Sequence, residues 1–268
     1  MQPMQWSDEY PIHHNWRYGI NALAPFDDIS SFDAMDSIVE YFVMNAGRGM
    51  PFESLKRVVV GGHSAGGQFA QRWSLTSNSP AWDDYSFTDR GANLASDSRR
   101  LRGHASVRPD IVAVVANPRS FCYLDGRRFT NATRFAIPSE ERLDQCPSYN
   151  SWLWGLDEGG YDVPYKDKAL MHFDGNIPKL ARRYSERDVV YLAGRNDTDH
   201  LHGSCEDDGF QGGSRVERSH YFFTSLKELF GKKVHTRLVV DNVGHDHTLM
   251  FQSVQGRYAI FSDDWERR

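Results

Sequence analysis

Residues 58–68 read VVVGGHSAGGQ, a run of valines that passes directly into a glycine-rich turn. The stretch contains Gly62-x-Ser64-x-Gly66, and a helix-compatible sequence follows it. Valine favours strands, and glycine allows the backbone to turn sharply between a strand and a helix. We therefore predict a strand, a tight turn at Ser64 and a helix that begins at Ala65.

A strand–turn–helix of this kind, called a nucleophile elbow, is typical of a nucleophilic serine. Side chains two residues before and after the serine would clash with the adjoining strand and helix, so glycine is favoured at both positions. The Ser64 hydroxyl would project above the sheet, and the N–H of Ala65 would point towards a developing oxyanion. We predict Ser64 as the nucleophile and the Ala65 amide as an oxyanion donor. The alternative is a glycine-rich turn whose serine has no chemical role.

The rest of the chain predicts an α/β fold with a mostly parallel sheet. Short continuous apolar runs are typical of strands buried on both faces by helices. Four such runs lie at 57–60, 111–115, 189–192 and 236–240. Helical patterns lie before, between and after these runs: one after a capping box at Ser30 and Asp33, one from Ala65 towards Leu75, one from Ser214 to Gly231 and one after Thr248.

A serine nucleophile needs a base that is oriented by a carboxylate. After an elbow of this kind, the acid and then the histidine follow on loops at the carboxyl ends of later strands. Asp197 follows the third apolar run and His245 follows the fourth. We predict Asp197 as the acid and His245 as the base, with Asp199 and His247 as the alternatives.

Taken together, GHSAGGQ at 62–68, Gly194-x-x-Asp197 and Gly244-His245-Asp246 resemble the α/β-hydrolase superfamily, from about residue 30 to the end. The resemblance implies a cofactor-independent Ser-His-Asp hydrolase that acts on carboxylic esters. The superfamily also contains amidases, peptidases and inactive members, so a non-catalytic or weakly active binding protein and an amidase or peptidase are the alternatives. Further stretches resemble one branch of it: Asn117-Pro118-x-Ser120, Tyr149-Asn150-x-Trp152-x-x-Gly155-Leu156, and Gln211-Gly212 with Arg215, Arg218 and Tyr221.

Residues 117–187 are too long for a simple crossover and are dense in aromatic residues and prolines. Such a segment predicts a cap or lid over a site, and the alternative is a packed excursion without a ligand role. We assign Trp152 and Trp154 of this segment, together with His63, to the predicted substrate pocket.

In the superfamily pattern four strands precede the elbow, but residues 1–46 contain no apolar strand run. We therefore expect the N-terminal part of the sheet to be missing, through an N-terminal truncation. An exposed edge at the first strand and an incomplete oxyanion hole would follow.

Composition and charge limit the class of protein and the kind of partner. Apolar residues make up 40% and charged residues 25% of the 268 residues, which is ordinary for a soluble globular protein and excludes a disordered chain. The formal charge of −5 and the lack of a long apolar run argue against a nucleic-acid partner and a membrane span. We expect one domain over 1–268 and a small-molecule ester as the partner. No signal peptide pattern is visible, and the compartment stays unknown, with the cytoplasm only as the default.

Cys122, Cys146 and Cys205 are too few and too scattered to predict a metal site. One disulfide with one thiol and three free thiols are both compatible with their spacing. We expect no metal and no organic cofactor.

Overall fold

The computed structural model describes residues 3–7, 15–82, 108–131, 134–203 and 205–262. The strands are β1 (Arg57–His63), β2 (Asp110–Ala116), β3 (Arg128–Asn131), β4 (Arg134–Ala136), β5 (Ser151–Trp152), β6 (Asp157–Gly160), β7 (Asp188–Gly194) and β8 (Thr236–Val240). The helices are α1 (Ser31–Asn45), α2 (Ala65–Thr76), α3 (Glu140–Gln145), α4 (Pro164–Met171), α5 (Ile177–Ser185), α6 (Cys205–Asp208), α7 (Arg215–Phe230), α8 (His247–Gln252) and α9 (Val254–Phe261).

The central sheet confirms the predicted α/β class. Four strands pair in parallel in the order β1-β2-β7-β8, and helices flank them. These strands contain the four predicted apolar runs. β2 lies in the middle of the sheet, so the loop that follows it is adjacent to the loops that follow β1 and β7. The active-site predictions depend on this adjacency.

Successive side chains of β2 point to opposite faces of the sheet, and each face packs against a separate hydrophobic cluster. Ile111, Ala113 and Val115 face a large cluster with residues of α1, α2 and α7, whereas Val112 and Val114 face a smaller cluster with α8 and α9. Both faces of β2 are therefore buried, which explains its continuous apolar sequence.

α1 begins where the sequence predicts it. The Ser30 hydroxyl accepts a hydrogen bond from the Asp33 backbone N–H at 2.9 Å, and the Asp33 carboxylate accepts one from the Ser30 N–H at 3.0 Å. This reciprocal capping satisfies two backbone donors that the first turn of a helix leaves unpaired.

The segment 117–187 is built into the large cluster. Phe121, Tyr123, Trp152 and Tyr184 of this segment are buried there. Hydrogen bonds from buried arginines fix the segment: on α2, the guanidinium of Arg72 donates to Ser120 Oγ at 3.0 Å and to the Leu153 carbonyl at 3.1 Å. The segment is thus a packed part of the core, and its role as a lid stays a prediction.

At the edge of the sheet, β1 pairs only with β2 among the described residues. The described residues before α1 contribute a 3₁₀ turn at Trp16–Tyr18 and two isolated bridges, Ser7–Asn15 and Asn21–Ser30, and none of these pairs with β1. No helix in the described ranges combines the length and the apolar character needed to cross a membrane.

A disulfide joins Cys146 to Cys205, whose Cα atoms lie 5.9 Å apart, while Cys122 is a buried free thiol. The first of the two cysteine arrangements compatible with the sequence is therefore the one found. The bond ties the segment after α3 to the polypeptide between Asp197 and α7.

Candidate active site

Ser64 stands at the turn between β1 and α2 in a strained conformation. Its φ of 56° and ψ of −111° belong to a region that residues with a side chain seldom adopt. The Ser64 N–H donates to the carbonyl of Ala116, at the end of β2, at 2.9 Å. The turn is therefore held in place by the neighbouring strand.

The structure requires glycine at Gly62 and Gly67, rather than at Gly62 and Gly66 as expected. A Cβ at Gly62 would lie 2.2 Å from the carbonyl carbon and oxygen of Gly66, and a Cβ at Gly67 would lie 2.6 Å from the Ala116 oxygen. A Cβ at Gly66 would meet no atom within 4 Å. The expected clash thus holds for Gly62 and is wrong for Gly66, and Gly67 is the second position where a side chain cannot fit.

His245 connects Ser64 to Asp197 through both of its ring nitrogens. Its Nε2 lies 3.0 Å from Ser64 Oγ, and its Nδ1 lies 2.8 Å from Asp197 Oδ2. A carboxylate can only accept, so Nδ1 carries the proton and Nε2 is free to accept from the serine hydroxyl. The side chain of Asp197 is fully buried, and that of His245 is 30% exposed.

Direct contact between the loops after β7 and β8 brings Asp197 and His245 together. The Asn196 N–H donates to the Val243 carbonyl at 2.9 Å. A Cβ at Gly194 would lie 2.5 Å from that same carbonyl oxygen, so glycine is required for the close approach. The alternatives Asp199 and His247 are exposed and take no part in the chain of hydrogen bonds from Ser64 to Asp197.

Arg215 lies next to the site, although the sequence alone predicts no role for this residue. Its Nη1 lies 3.3 Å from Asp197 Oδ1, and its side chain is only 15% exposed. The residue is the first of α7, where the helix dipole disfavours a cation. An arginine in the first turn of a predicted helix, where the dipole disfavours a cation, is the signal that could have indicated an acidic partner.

His63 packs against His245, with the two ring centroids 4.5 Å apart. Burial, reinforced by the neighbouring His245, lowers the pKa of His63 to about 4, so its ring is neutral near pH 7. His63 thus lies beside the serine site. Trp152 is fully buried in the core, where its indole N–H donates to the Tyr18 carbonyl, and Trp154 packs against the same cluster.

Ala65 is the first residue of α2, directly after Ser64. Backbone N–H groups in the first turn of a helix have no partner within the helix, and the dipole makes this end positive. The position of Ala65 is therefore suited to stabilise a negative oxygen formed next to Ser64.

No protein-family model and no curated protein sequence matches this chain. The solved structures that are similar in fold include the following two. LpqC, a poly(3-hydroxybutyrate) depolymerase from Bordetella parapertussis, gives a TM-score of 0.50 at 18% identity over 95% of this chain and 66% of its own. Poly(aspartic acid) hydrolase-1 from Sphingomonas sp. KT-1 gives a TM-score of 0.46 at 19% identity, over 84% of this chain and 62% of the hydrolase chain. The chain thus spans less than two thirds of each protein's length, and the likeness extends to the fold alone.

Proposed function

We propose that this chain is a serine hydrolase that cleaves a carboxylic ester through an acyl-enzyme on Ser64. The observation that carries the proposal is the unbroken set of hydrogen bonds, 3.0 Å from Ser64 Oγ to His245 Nε2 and 2.8 Å from His245 Nδ1 to Asp197 Oδ2. The strained backbone of Ser64 and the helix that begins at Ala65 support it.

Acylation begins when His245 Nε2 takes the hydroxyl proton of Ser64 and the serine oxygen attacks the ester carbonyl carbon. Asp197 holds the Nδ1–H and stabilises the imidazolium that forms. The Ala65 N–H donates to the carbonyl oxygen as it becomes negative. When the tetrahedral intermediate collapses, the bond to the leaving oxygen breaks and His245 gives its proton to that oxygen, which releases an alcohol.

Deacylation repeats these steps with water as the nucleophile. His245 takes a proton from water, the hydroxide oxygen attacks the acyl carbon, and the bond to Ser64 Oγ breaks as the serine regains its proton. The sum is ester and water giving carboxylic acid and alcohol. Because the His245 side chain is 30% exposed, solvent water reaches the imidazole.

The neutral state of His63 suits this cycle. An imidazolium forms on His245 in both steps, and a second positive ring with its centroid 4.5 Å away would oppose it. With a pKa lowered to about 4, chiefly by burial, His63 carries no such charge near pH 7.

The test is turnover of p-nitrophenyl acetate, with the matched p-nitroanilide to measure amidase activity. We expect ester turnover in the wild type and a loss of about 10⁴-fold or more in kcat for Ser64→Ala, His245→Gln and Asp197→Asn. Asp199→Asn and His247→Gln are the matched controls and should keep activity within a few fold. Turnover that survives Ser64→Ala would overturn the proposal, and a preference for the anilide would favour an amidase.

A further inference from the structure

The end of β2 contacts both neighbouring strands at the site. The carbonyl of Ala116, its last residue, accepts the Ser64 N–H at 2.9 Å. The N–H of the next residue, Asn117, donates to the Leu192 carbonyl in β7 at 3.0 Å. Two consecutive residues therefore link the elbow after β1 to the strand that leads to Asp197.

The Asn117 side chain extends this link to the histidine loop. Its Oδ1 accepts the Gly194 N–H at 2.8 Å, and its Nδ2 donates to the Gly244 carbonyl at 3.0 Å. Gly194 ends β7, and its own carbonyl accepts the Asp197 N–H at 3.1 Å. Gly244 directly precedes His245. One side chain thus bridges the backbones that carry Asp197 and His245.

The residue type fits this position. Asn117 is 1% exposed and has a φ of 41°, in the left-handed region that asparagine enters more readily than most residues with a side chain. Its amide offers an acceptor and donors in one plane, which is what a backbone N–H on one side and a carbonyl on the other require.

We propose that Asn117 is a positioning residue, which fixes the loops of Asp197 and His245 relative to each other and to Ser64. The inference rests on the proposed hydrolase function, because Asn117 would set the distance between Ser64 Oγ and His245 Nε2, across which the serine proton moves. Asn117 touches no reacting atom, so its effect passes through the two loops. A displacement of reacting groups by about 1 Å can reduce the rate by about 10²-fold.

Two substitutions test the proposal. Asn117→Asp keeps the size and the acceptor for Gly194, but it places a carboxylate oxygen against the Gly244 carbonyl. Asn117→Gly removes both hydrogen bonds while suiting the positive φ, so it remains informative if the aspartate variant does not fold. We expect both to lower kcat for p-nitrophenyl acetate by about 10- to 100-fold, with KM within about two-fold.

Asn150→Ala is the matched control. Asn150 is also buried, at 3% exposure, and its Oδ1 accepts from Arg128 at 2.8 Å in the core. Its removal should lower the melting temperature and leave kcat unchanged. If the Asn117 variants behaved in the same way, with reduced stability and wild-type kcat, the positioning role would be refuted.

A second readout separates this inference from the proposed function. The proton shared between His245 Nδ1 and Asp197 gives a low-field imidazole N–H resonance that does not depend on turnover. We expect it in the wild type and in Asn150→Ala, and we expect it to weaken or shift in the Asn117 variants. If the wild type fails to hydrolyse esters, the proposed function fails while the resonance still decides the role of Asn117. A resonance unchanged in folded Asn117→Gly would overturn the inference.

Discussion

Arg215 Nη1 lies 3.3 Å from Oδ1 of Asp197, whose other carboxylate oxygen accepts the hydrogen bond from His245. The buried carboxylate is therefore compensated from two sides. The N–H of Val216, also in the first turn of α7, donates to the Asp197 carbonyl at 3.3 Å. The start of α7 thus supports both the side chain and the backbone of Asp197.

Arg215→Met should reduce the free energy of unfolding by about 1.5–3 kcal/mol, because it leaves a buried carboxylate without its cationic partner. Arg195→Met is the matched control, since Arg195 pairs with Asp241 where both side chains are more than 60% exposed. That pair should contribute about 1 kcal/mol or less. Equal losses for the two variants in chemical denaturation would show that the Arg215 contact contributes no more than a surface pair.

Gly62→Ala and Gly66→Ala should have opposite effects. A Cβ at Gly62 would lie 2.2 Å from Gly66 backbone atoms, so this variant should fail to form the turn and should lose stability. A Cβ at Gly66 has free space, and alanine in the first turn of α2 should be neutral or stabilising by up to about 1 kcal/mol. Thermal denaturation of both variants checks this. A Gly62→Ala protein as stable as the wild type would contradict the close approach of Gly62 to Gly66.

Asp36 makes stability depend on pH. Burial raises the pKa of Asp36 to about 6, although Trp73, Ser77 and Tyr165 donate hydrogen bonds to its carboxylate. The folded protein therefore holds this proton at higher pH than the unfolded chain does. Ionisation of Asp36 should therefore lower the free energy of unfolding progressively as the pH rises from about 4 to 6. The total loss should be about 1–3 kcal/mol, since solvent screens the charge of a partly exposed residue.

Asp36→Asn removes this titration and keeps groups of the same size towards the three donors. The variant should gain stability relative to the wild type as the pH rises from 4 to 7. Denaturation curves at pH 4, 5, 6 and 7 measure the difference, with Asp27→Asn at an exposed aspartate as the control. A stability difference that does not change with pH would refute this account of Asp36.

The disulfide between Cys146 and Cys205 should also contribute to stability. It closes a loop with a sequence separation of 59 residues, which corresponds to about 4 kcal/mol of unfolded-state entropy. Reduction should therefore lower the denaturation midpoint of the wild type to that of a Cys146→Ser/Cys205→Ser variant, which itself should not respond to reductant. Identical midpoints for the oxidised and reduced wild type would exclude this contribution.

The sequence could predict the residues whose position depends on strand order alone. Ser64, Asp197 and His245 each follow an apolar strand run, and parallel strands bring their carboxyl ends to one edge of the sheet. The same reasoning could not choose firmly between Asp197 and Asp199. That choice depends on how the loop turns after Gly194.

Strand order does not predict the roles of Asn117 and Arg215. The side chain of Asn117 contacts residues 77 and 127 positions further along the chain, and a single sequence does not indicate such pairings. The buried arginines of the core are also hard to predict, because arginine is mostly an exposed residue and its burial depends on carbonyls supplied by distant loops. Aromatic content also does not show which way a side chain faces, and Trp152 is fully buried in the core.

The most direct test of the central claim is the mass of the protein after reaction with a fluorophosphonate, followed by mapping of the modified peptide. The account predicts a single adduct on Ser64, slower formation in His245→Gln and no adduct in Ser64→Ala. Absence of any adduct under conditions that fully modify a known serine hydrolase, or an adduct that persists in Ser64→Ala, would contradict it.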